Sequence, residues 1–470
     1  MSSEPPTALA ELRFHNIDRN PSIYATLKSI RKAALSIPNR LRSVLADAAF
    51  AKGISEQYNL PLLANERCGS WYIDPSDKVG SAYFKSTDGH HGQWDFSLRR
   101  LNLQLIPILG NSGGAVVVDS TRRGKSLPDS FSKTVPIWVA VINRALFPEL
   151  THAHCLQHPP APDDLGLSEV SQIEGKLDGF VRSFTQLGLN IPMLRTQLKY
   201  PIRIIWEING RSRIDFEDEE YDSEAESVTS ALEGNQANRL VLCSASQRVR
   251  GAEASEGGYI QGAGDDSEGW SHGLTAQTFW KHREELMQSP EDELEPLIET
   301  LLQRDKQESR SHVPAVRAST TSHLYIGAGV SCNTDEYSLI VNCQNDGQHP
   351  TVDPRVLDLK CRAMKLGSKD LRDQLPLSSK VISEQLRKDA DSRVLVTCSS
   401  GKDLSVGVAV AVLCLHYDDQ GKLREPGVSP TMDKSLVKQR LAWITHSKPD
   451  ANPSRATLQA VNSFLMHRPD

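Results

Sequence analysis

Two apolar rhythms alternate along this 470-residue chain. Residues 22–50 carry apolar side chains at helical spacing, and Pro38 divides them into two expected helices. Short extended segments follow at Trp71-Tyr72-Ile73, at Ala82-Tyr83-Phe84 and along the run from Leu101 to Leu109. Ala115-Val116-Val117-Val118-Asp119 reads as a buried strand that ends on an acid, and Ile137 to Leu146 reads as an apolar helix. Further buried strands are expected over Ile202 to Ile208 and Leu240 to Ala245. From His323 onward, strands at 323–328, 337–343, 355–359 and 393–398 alternate with helices near 405–415, 433–445 and 453–467. That alternation predicts a compact α/β domain. The expected fold class is therefore α/β in two domains, 1–303 and 322–470, joined by a polar linker at 304–321. No internal repeat interrupts this plan.

Composition sets the boundaries. Hydrophobic residues make up 39% and charged residues 24%, the balance of an ordinary globular protein with room for two cores. No apolar run approaches the ~20 residues that cross a bilayer, so no membrane partner is expected. Met1-Ser2-Ser3-Glu4-Pro5-Pro6 lacks the basic and apolar regions of a secretory leader. The eight cysteines are scattered without a Cys-x-x-Cys pair and read as reduced thiols of the cytosol or nucleus, the cytoplasm being expected.

The net charge of −6 disfavours a nucleic-acid partner only superficially. Residues 215–226 hold eight acids and no base, the centre of an expected disordered insertion near 215–235. Without those eight acids the rest of the chain is slightly basic. Residues 19–46 carry Arg19, Lys28, Arg31, Lys32, Arg40 and Arg42 with no acid, a patch compatible with an RNA backbone.

The chemistry concentrates in a few loops. Val394-Leu395-Val396 leads into Cys398-Ser399-Ser400-Gly401-Lys402-Asp403-Leu404-Ser405, followed by small apolar residues from Val406 to Ala411. A strand, a tight turn and a helix start in that order cradle an anion, because free N–H groups and the helix dipole favour negative charge. Ser405 can cap the helix or meet the anion, and Lys402 supplies a point charge. The frame Cys-x-x-Gly-x-x-x-Ser resembles the phosphate loop of cysteine-dependent protein phosphatases. Asn452-Pro453-Ser454-Arg455, entering a helix, adds a resemblance to the dual-specificity members. In that family an arginine stands six residues after the cysteine, where Leu404 stands here. The resemblance implies a domain that holds phosphate and hydrolyses it poorly.

Asp119, at the carboxyl end of a buried strand, lies where α/β proteins bind ligands. Arg122, Arg123 and Lys125, beside Gly124, suit a polyphosphate. Phosphoribosyltransferases place acids and a glycine-containing loop similarly, but their paired acids are absent because Ser120 follows Asp119. In Lys85-Ser86-Thr87-Asp88-Gly89-His90, the imidazole of His90 can shuttle a proton. Asp265 and Asp266, after a glycine-rich stretch, can hold magnesium or form a plain loop. His152, His154, Cys155 and His158 have irregular spacing that disfavours zinc.

Longer motifs tie these loops together. They are Phe84-Lys85-Ser86-Thr87-Asp88-Gly89-His90, Trp94 to Asn102, Val118 to Lys125, Ser132 to Trp138, Tyr259 to Asp266, Gly401-Lys402-Asp403 and Asn452-Pro453-Ser454-Arg455. In this order they resemble the initiator-tRNA 2′-O-ribosyl-phosphate transferases of fungi and plants, over most of the chain outside the acidic insertion. The resemblance implies transfer of ribose 5-phosphate from phosphoribosyl pyrophosphate, the co-substrate, to a ribose 2′-hydroxyl on a T-stem adenosine. The acceptor is initiator tRNA, with no DNA partner, a monomeric enzyme and Mg2+ as metal.

On that reading, Arg122, Arg123 and Lys125 hold the pyrophosphate, with Lys85 in the donor site and magnesium at Asp119, Asp265 and Asp266. Asp88 or His90 is the general base. The loop of Cys398, Gly401, Lys402, Asp403 and Ser405 grips either the donor 5-phosphate or an RNA phosphate. Residues 28–42 meet the tRNA backbone. The alternatives are a cysteine-dependent phosphatase and an inactive phosphate-binding RNA adaptor.

Overall fold

The computed structural model describes residues 35–85, 92, 94–163, 165–211, 236–249, 258–308, 315–319, 321–329, 336–344, 353–362, 364–389, 392–425 and 430–466. Asp88, His90, the acidic segment 215–235 and basic residues 28–34 lie outside them.

The first sheet is fully parallel, with strands ordered β2-β1-β3-β5-β4. Its strands are β1 (Leu62–Asn65), β2 (Lys78–Ala82), β3 (Gly114–Asp119), β4 (Ile202–Ile208) and β5 (Asn238–Ser244). Helices cover both faces, as an all-parallel sheet requires. Along β3, Ala115 and Val117 pack on one face while Val116 and Val118 pack on the other. The first face is covered by α2 (Leu105–Ser112), α3 (Val135–Leu146), α4 (Leu167–Thr185) and α5 (Ile191–Leu198). The second is covered by α1 (Ile37–Tyr58), α6 (Ala276–Lys281), α7 (Arg283–Gln288) and α8 (Leu294–Glu308).

The second sheet runs β6-β7-β10-β8-β9 and is parallel except for β6 against β7. It contains β6 (Val316–Arg317), β7 (Leu324–Ala328), β8 (Leu339–Gln344), β9 (Val356–Cys361) and β10 (Val394–Cys398). Its main core is shared with α9 (Met364–Lys388), α10 (Leu404–His416), α11 (Lys434–Ser447) and α12 (Arg455–Met466). Every residue of α10 from Leu404 to Cys414 is buried, so its apolar character on all sides makes it the central helix. The two domains touch, because Ala442 of α11 belongs to the apolar core of the first.

Several local expectations change. Pro38 sits in the first turn of helix α1, which starts at Ile37, where its missing N–H leaves no bond unmade; the helix expected before it falls on residues 22–34, outside the described residues. Gly69–Tyr72 forms a 3-10 turn rather than a strand. The apolar run after Leu101 becomes helix α2, because an element buried all round shows no period that separates helix from strand. The four-residue strand β1 was not anticipated at all. Among the described residues no helix is long and apolar enough to cross a membrane, and seven cysteines are free thiols.

Helix α2 crosses α5 at Gly110, where an added Cβ would lie 1.8 Å from the Gln197 carbonyl oxygen. Gly110→Ala should therefore cost roughly 3 kcal/mol, since backbone must move to admit it. Urea unfolding measures this, and a change within about 0.5 kcal/mol would contradict the close crossing.

Candidate active site at the carboxyl edge of the first sheet

Strand order reverses between β1 and β3, since the chain steps to β2 on one side of β1 and to β3 on the other. A crevice at the carboxyl ends of such strands is where open α/β sheets take ligands. β1 delivers Asn65, Glu66, Arg67 and Cys68 to this edge, and β3 delivers Asp119 and Ser120. The parallel register sets Asp119 beside Ser244 of β5.

A buried charge cluster fills the crevice. Asp119 is 0% and Asp265 4% exposed. Arg67 reaches between them: its Nε and Nη2 lie 3.1 and 2.9 Å from Asp119 Oδ1, and its Nη1 lies 3.0 Å from Asp265 Oδ2. Arg67 also donates to the Ser120 carbonyl. Asp119 Oδ2 accepts from Asn65 Nδ2 at 2.8 Å and from the Ser130 hydroxyl at 2.7 Å. Asp119 Oδ1 accepts from the Ser120 amide at 2.8 Å and the Cys68 thiol at 3.0 Å. Ser120 donates its hydroxyl to Asp265. Burial, then the charges of Asp265 and Asp119, push the Cys68 thiol well above its ordinary value, so it stays protonated.

The expected metal ligands are thus engaged. Arg67 binds Asp119 and Asp265, while Arg122 pairs with Asp266. Among the described residues no group of three or more His, Cys, Asp or Glu gathers as a metal site. As arranged, these carboxylates do not fit a resident magnesium ion.

Beside the cluster, the loop after β3 is held in shape by the 259–266 segment. Gln261 Oε1 accepts from the Gly124 amide at 3.0 Å, and its Nε2 donates to the Lys125 carbonyl at 2.7 Å. The Ser246 hydroxyl donates to the Thr121 carbonyl at 2.8 Å. Arg123 and Gly124 are both left-handed, at φ 58° and 74°, a turn that costs a non-glycine residue about 1 kcal/mol or more. Arg123 is exposed, and Lys125 lies 3.3 Å from Asp129. A pocket of ≈ 500 Å³ opens beside Gly124, Lys125 and Arg248.

Asn65 also carries the edge toward β2. Its side-chain amide pairs with both backbone groups of Phe84, at 2.8 and 3.0 Å, which places Lys85 at the rim. Partial desolvation, then the charges of Arg99 and Arg100, hold the Lys85 ammonium below its ordinary value.

The Cys398 loop lies in the second domain. Gly401 is left-handed at φ 64°, and a Cβ there would come within 2.8 Å of the Gly327 backbone, so only glycine fits. Cys398 is 2% exposed, and its Sγ lies 3.1 Å from the Ser405 hydroxyl. Burial raises this thiol, but hydrogen bonds from the Ser405 hydroxyl and the Ser405 and Asp403 amides outweigh it and leave it below its ordinary value. Asp403 turns away from the cradle: it accepts from the Ser454 amide at 2.8 Å and the Thr457 hydroxyl at 2.6 Å. Lys402 lies 3.5 Å from Asp450, and the Asp450 charge acts on Tyr83 of the first domain. The loop therefore faces the first domain near Tyr83.

Comparison with known proteins fits this arrangement. A family model described as the Rit1 N-terminal domain matches residues 30–303, more than half of the chain. A second, the Rit1 DUSP-like domain, matches residues 355–465. The chain belongs to the Rit1 family. An uncharacterised protein of Schizosaccharomyces pombe is 34% identical, covering 91% of this chain and 94% of its own. The tRNA A64-2′-O-ribosylphosphate transferase of Saccharomyces cerevisiae is 33% identical, covering 95% and 96%. Among solved structures, the Yvh1 phosphatase domain from Chaetomium thermophilum is 22% identical with a TM-score of 0.26, covering 32% of this chain and 94% of its own. Human DUSP28 matches at 18% identity and TM-score 0.25, covering 33% and 95%.

In this Rit1-family chain the structure joins Asp119, Arg122, Arg123, Lys125, Asp265 and Asp266 at one edge. Cys398, Gly401, Lys402, Asp403 and Ser405 form a separate loop, and Lys85 stands on the rim between them. Sequence reading missed Arg67. Its only signal is its place two residues after a four-residue apolar strand, too short to read with confidence from period alone.

Removing Arg67 strands two buried carboxylates. Arg67→Met should lower unfolding free energy by about 3 kcal/mol, with Arg67→Lys intermediate because it lacks the planar fork. Denaturant titration decides this, and equal stability of Met and Lys variants would sink the bridging role.

Burial also raises the Asp47 carboxyl well above its ordinary value, partly offset by a 2.8 Å bond from the Tyr259 hydroxyl. A folded-state value above the unfolded one gives stability that is full in acid and lost as pH rises. Asp47→Asn should gain on the wild type as pH rises from about 4 towards neutrality. Urea midpoints across that range should diverge, and a constant offset would refute the assignment.

Proposed function

We propose that this chain modifies tRNA by transferring ribose 5-phosphate from phosphoribosyl pyrophosphate to a 2′-hydroxyl of initiator tRNA, at the adenosine named for the yeast relative. The observation that carries the reading is the shaped cationic loop Arg122–Lys125 at the switch point of a parallel sheet. The 33% identity to the yeast transferase over 95% of the chain supports it.

In the reaction the C1′–oxygen bond to pyrophosphate breaks, and the leaving group takes the electron pair. A bond forms between C1′ and the acceptor 2′-oxygen, whose proton passes to a base, Asp88 or His90. Arg123, exposed and held by a left-handed turn, meets the charge that develops on the departing pyrophosphate. Arg122 and Lys125 add to that field, and magnesium enters with the pyrophosphate as part of the substrate. Arg67 fixes Asp119 and Asp265, so the loop keeps its geometry while charge moves. The transferred phosphate gives initiator tRNA a bulky anionic mark that excludes it from elongation.

A second reading, a cysteine-dependent phosphatase, is favoured by the depressed Cys398 thiol. It lacks the guanidinium that Leu404 replaces, and Leu404 is only 4% exposed.

The test is label transfer from phosphoribosyl pyrophosphate to initiator and elongator tRNA. Transfer should occur to initiator tRNA alone, fall roughly 100-fold in Arg123→Ala, and stay within about threefold in Cys398→Ser. Absence of transfer to any tRNA, with aryl phosphate hydrolysis lost in Cys398→Ser, would replace this reading by the phosphatase.

A further inference from the structure

A groove of ≈ 750 Å³ runs between the two domains. On one wall α11 presents Lys434 and Lys438, and α12 presents Arg455; Arg99 of the first domain faces them. Leu441 and Phe180 form part of an apolar floor. In α11 the lining positions 434, 437, 438 and 441 share one face, as do 455, 458, 459 and 462 in α12.

The four cations stand together around one groove. All are exposed, and among the described residues none has a carboxylate in ion-pair range. Several arginines elsewhere are matched, as Arg195 is to Glu149, Arg144 to Asp178 and Arg362 to Asp370. Asp95 is the one acid among the described residues that line the groove. The Asn462 side-chain oxygen, also on the lining, is buried without a partner. A surface that keeps four cations unpaired over an apolar floor suits a polyanion that brings both phosphates and flat, apolar rings. Lys434 and Lys438 are about 6 Å apart along their helix, a distance over which a nucleic-acid strand presents repeated charge. An acidic peptide would match the charges but brings no flat rings to the apolar floor.

We propose that this groove docks the phosphate backbone of the tRNA, making the DUSP-like domain an RNA clamp. This deepens the proposed function and rests on tRNA being the substrate. Both walls are needed, so RNA binding holds the two domains together. Arg99 on the groove is followed by Arg100, which stacks on Tyr83 at 5.2 Å, and the charges of both act on Lys85 at the rim. A strand in the groove is thereby led toward the carboxyl edge of the first sheet. Phosphate contacts of this kind position RNA without reading sequence.

The experiment uses the full chain and fluorescently labelled initiator tRNA, with binding measured by anisotropy over a salt series. Lys434→Gln combined with Lys438→Gln should weaken binding roughly tenfold at low salt and reduce the slope of log K against log salt by about 1 to 2. Arg455→Gln should act in the same direction. Lys380→Gln, on α9 and outside the groove, should match the wild type. Donor binding, followed separately by calorimetry, should be unchanged in all of them. Wild-type affinity and slope in the double variant would overturn the groove while leaving the transferase reading intact, provided the wild type binds and modifies tRNA. If the wild type binds no tRNA, both fall together.

Discussion

One guanidinium organises the first domain. Asp119 and Asp265 lie buried in the same crevice, on segments 146 residues apart in sequence, and without a cation between them their charges would drive those segments apart. Arg67 reaches both, with its planar fork on Asp119 and its other arm on Asp265. Such a bridge adds little net stability compared with an apolar packing, but it is costly to break, so it specifies one arrangement. From it follow the position of Ser120, the path of the loop through Arg123 and the fit of Gln261 against that loop. Arg123 is exposed beside buried charges that are already satisfied.

The second domain repeats the architectural logic with a different outcome. Its central strand β10 ends in a loop under the first turn of α10, where Gly401 permits the turn and Ser405 depresses the Cys398 thiol. Two features move this loop away from phosphate hydrolysis. Leu404 packs inward where a clamping arginine would stand, and Asp403 is spent on holding the start of α12. What remains is a structured turn beside Lys402 that faces the other domain through Asp450 and Tyr83. The domain's distinctive chemistry then lies on the outer faces of α11 and α12, where unpaired cations line the interdomain groove.

Much of this was legible in the sequence. The strand from Gly114 to Asp119 declares itself by five consecutive small and branched apolar residues before an acid, and the basic turn behind it by composition. The strands after His323 read correctly because each is short and bounded by polar turns, but the long helix α9 between β9 and β10 went unread. The failures share a cause. The run after Leu101 is apolar on every side, so its helix shows no period. β1 is only four residues long, and missing it hid Arg67, whose importance comes from Asp119 and Asp265 converging in space. The groove was equally hidden. Lys434, Lys438, Arg455 and Arg99 come from three separate segments, and each looks like an ordinary solvated charge until the domains pack. The proposed bases Asp88 and His90 lie outside the described residues.

On the proposed function the donor is held at the carboxyl edge of the first sheet rather than in the phosphatase-like loop. The most direct measurement is calorimetric binding of phosphoribosyl pyrophosphate with magnesium to the wild type, Arg123→Ala and Lys402→Ala. Arg123→Ala should lose donor affinity while Lys402→Ala binds as the wild type does. Retained binding in Arg123→Ala with loss in Lys402→Ala would contradict it.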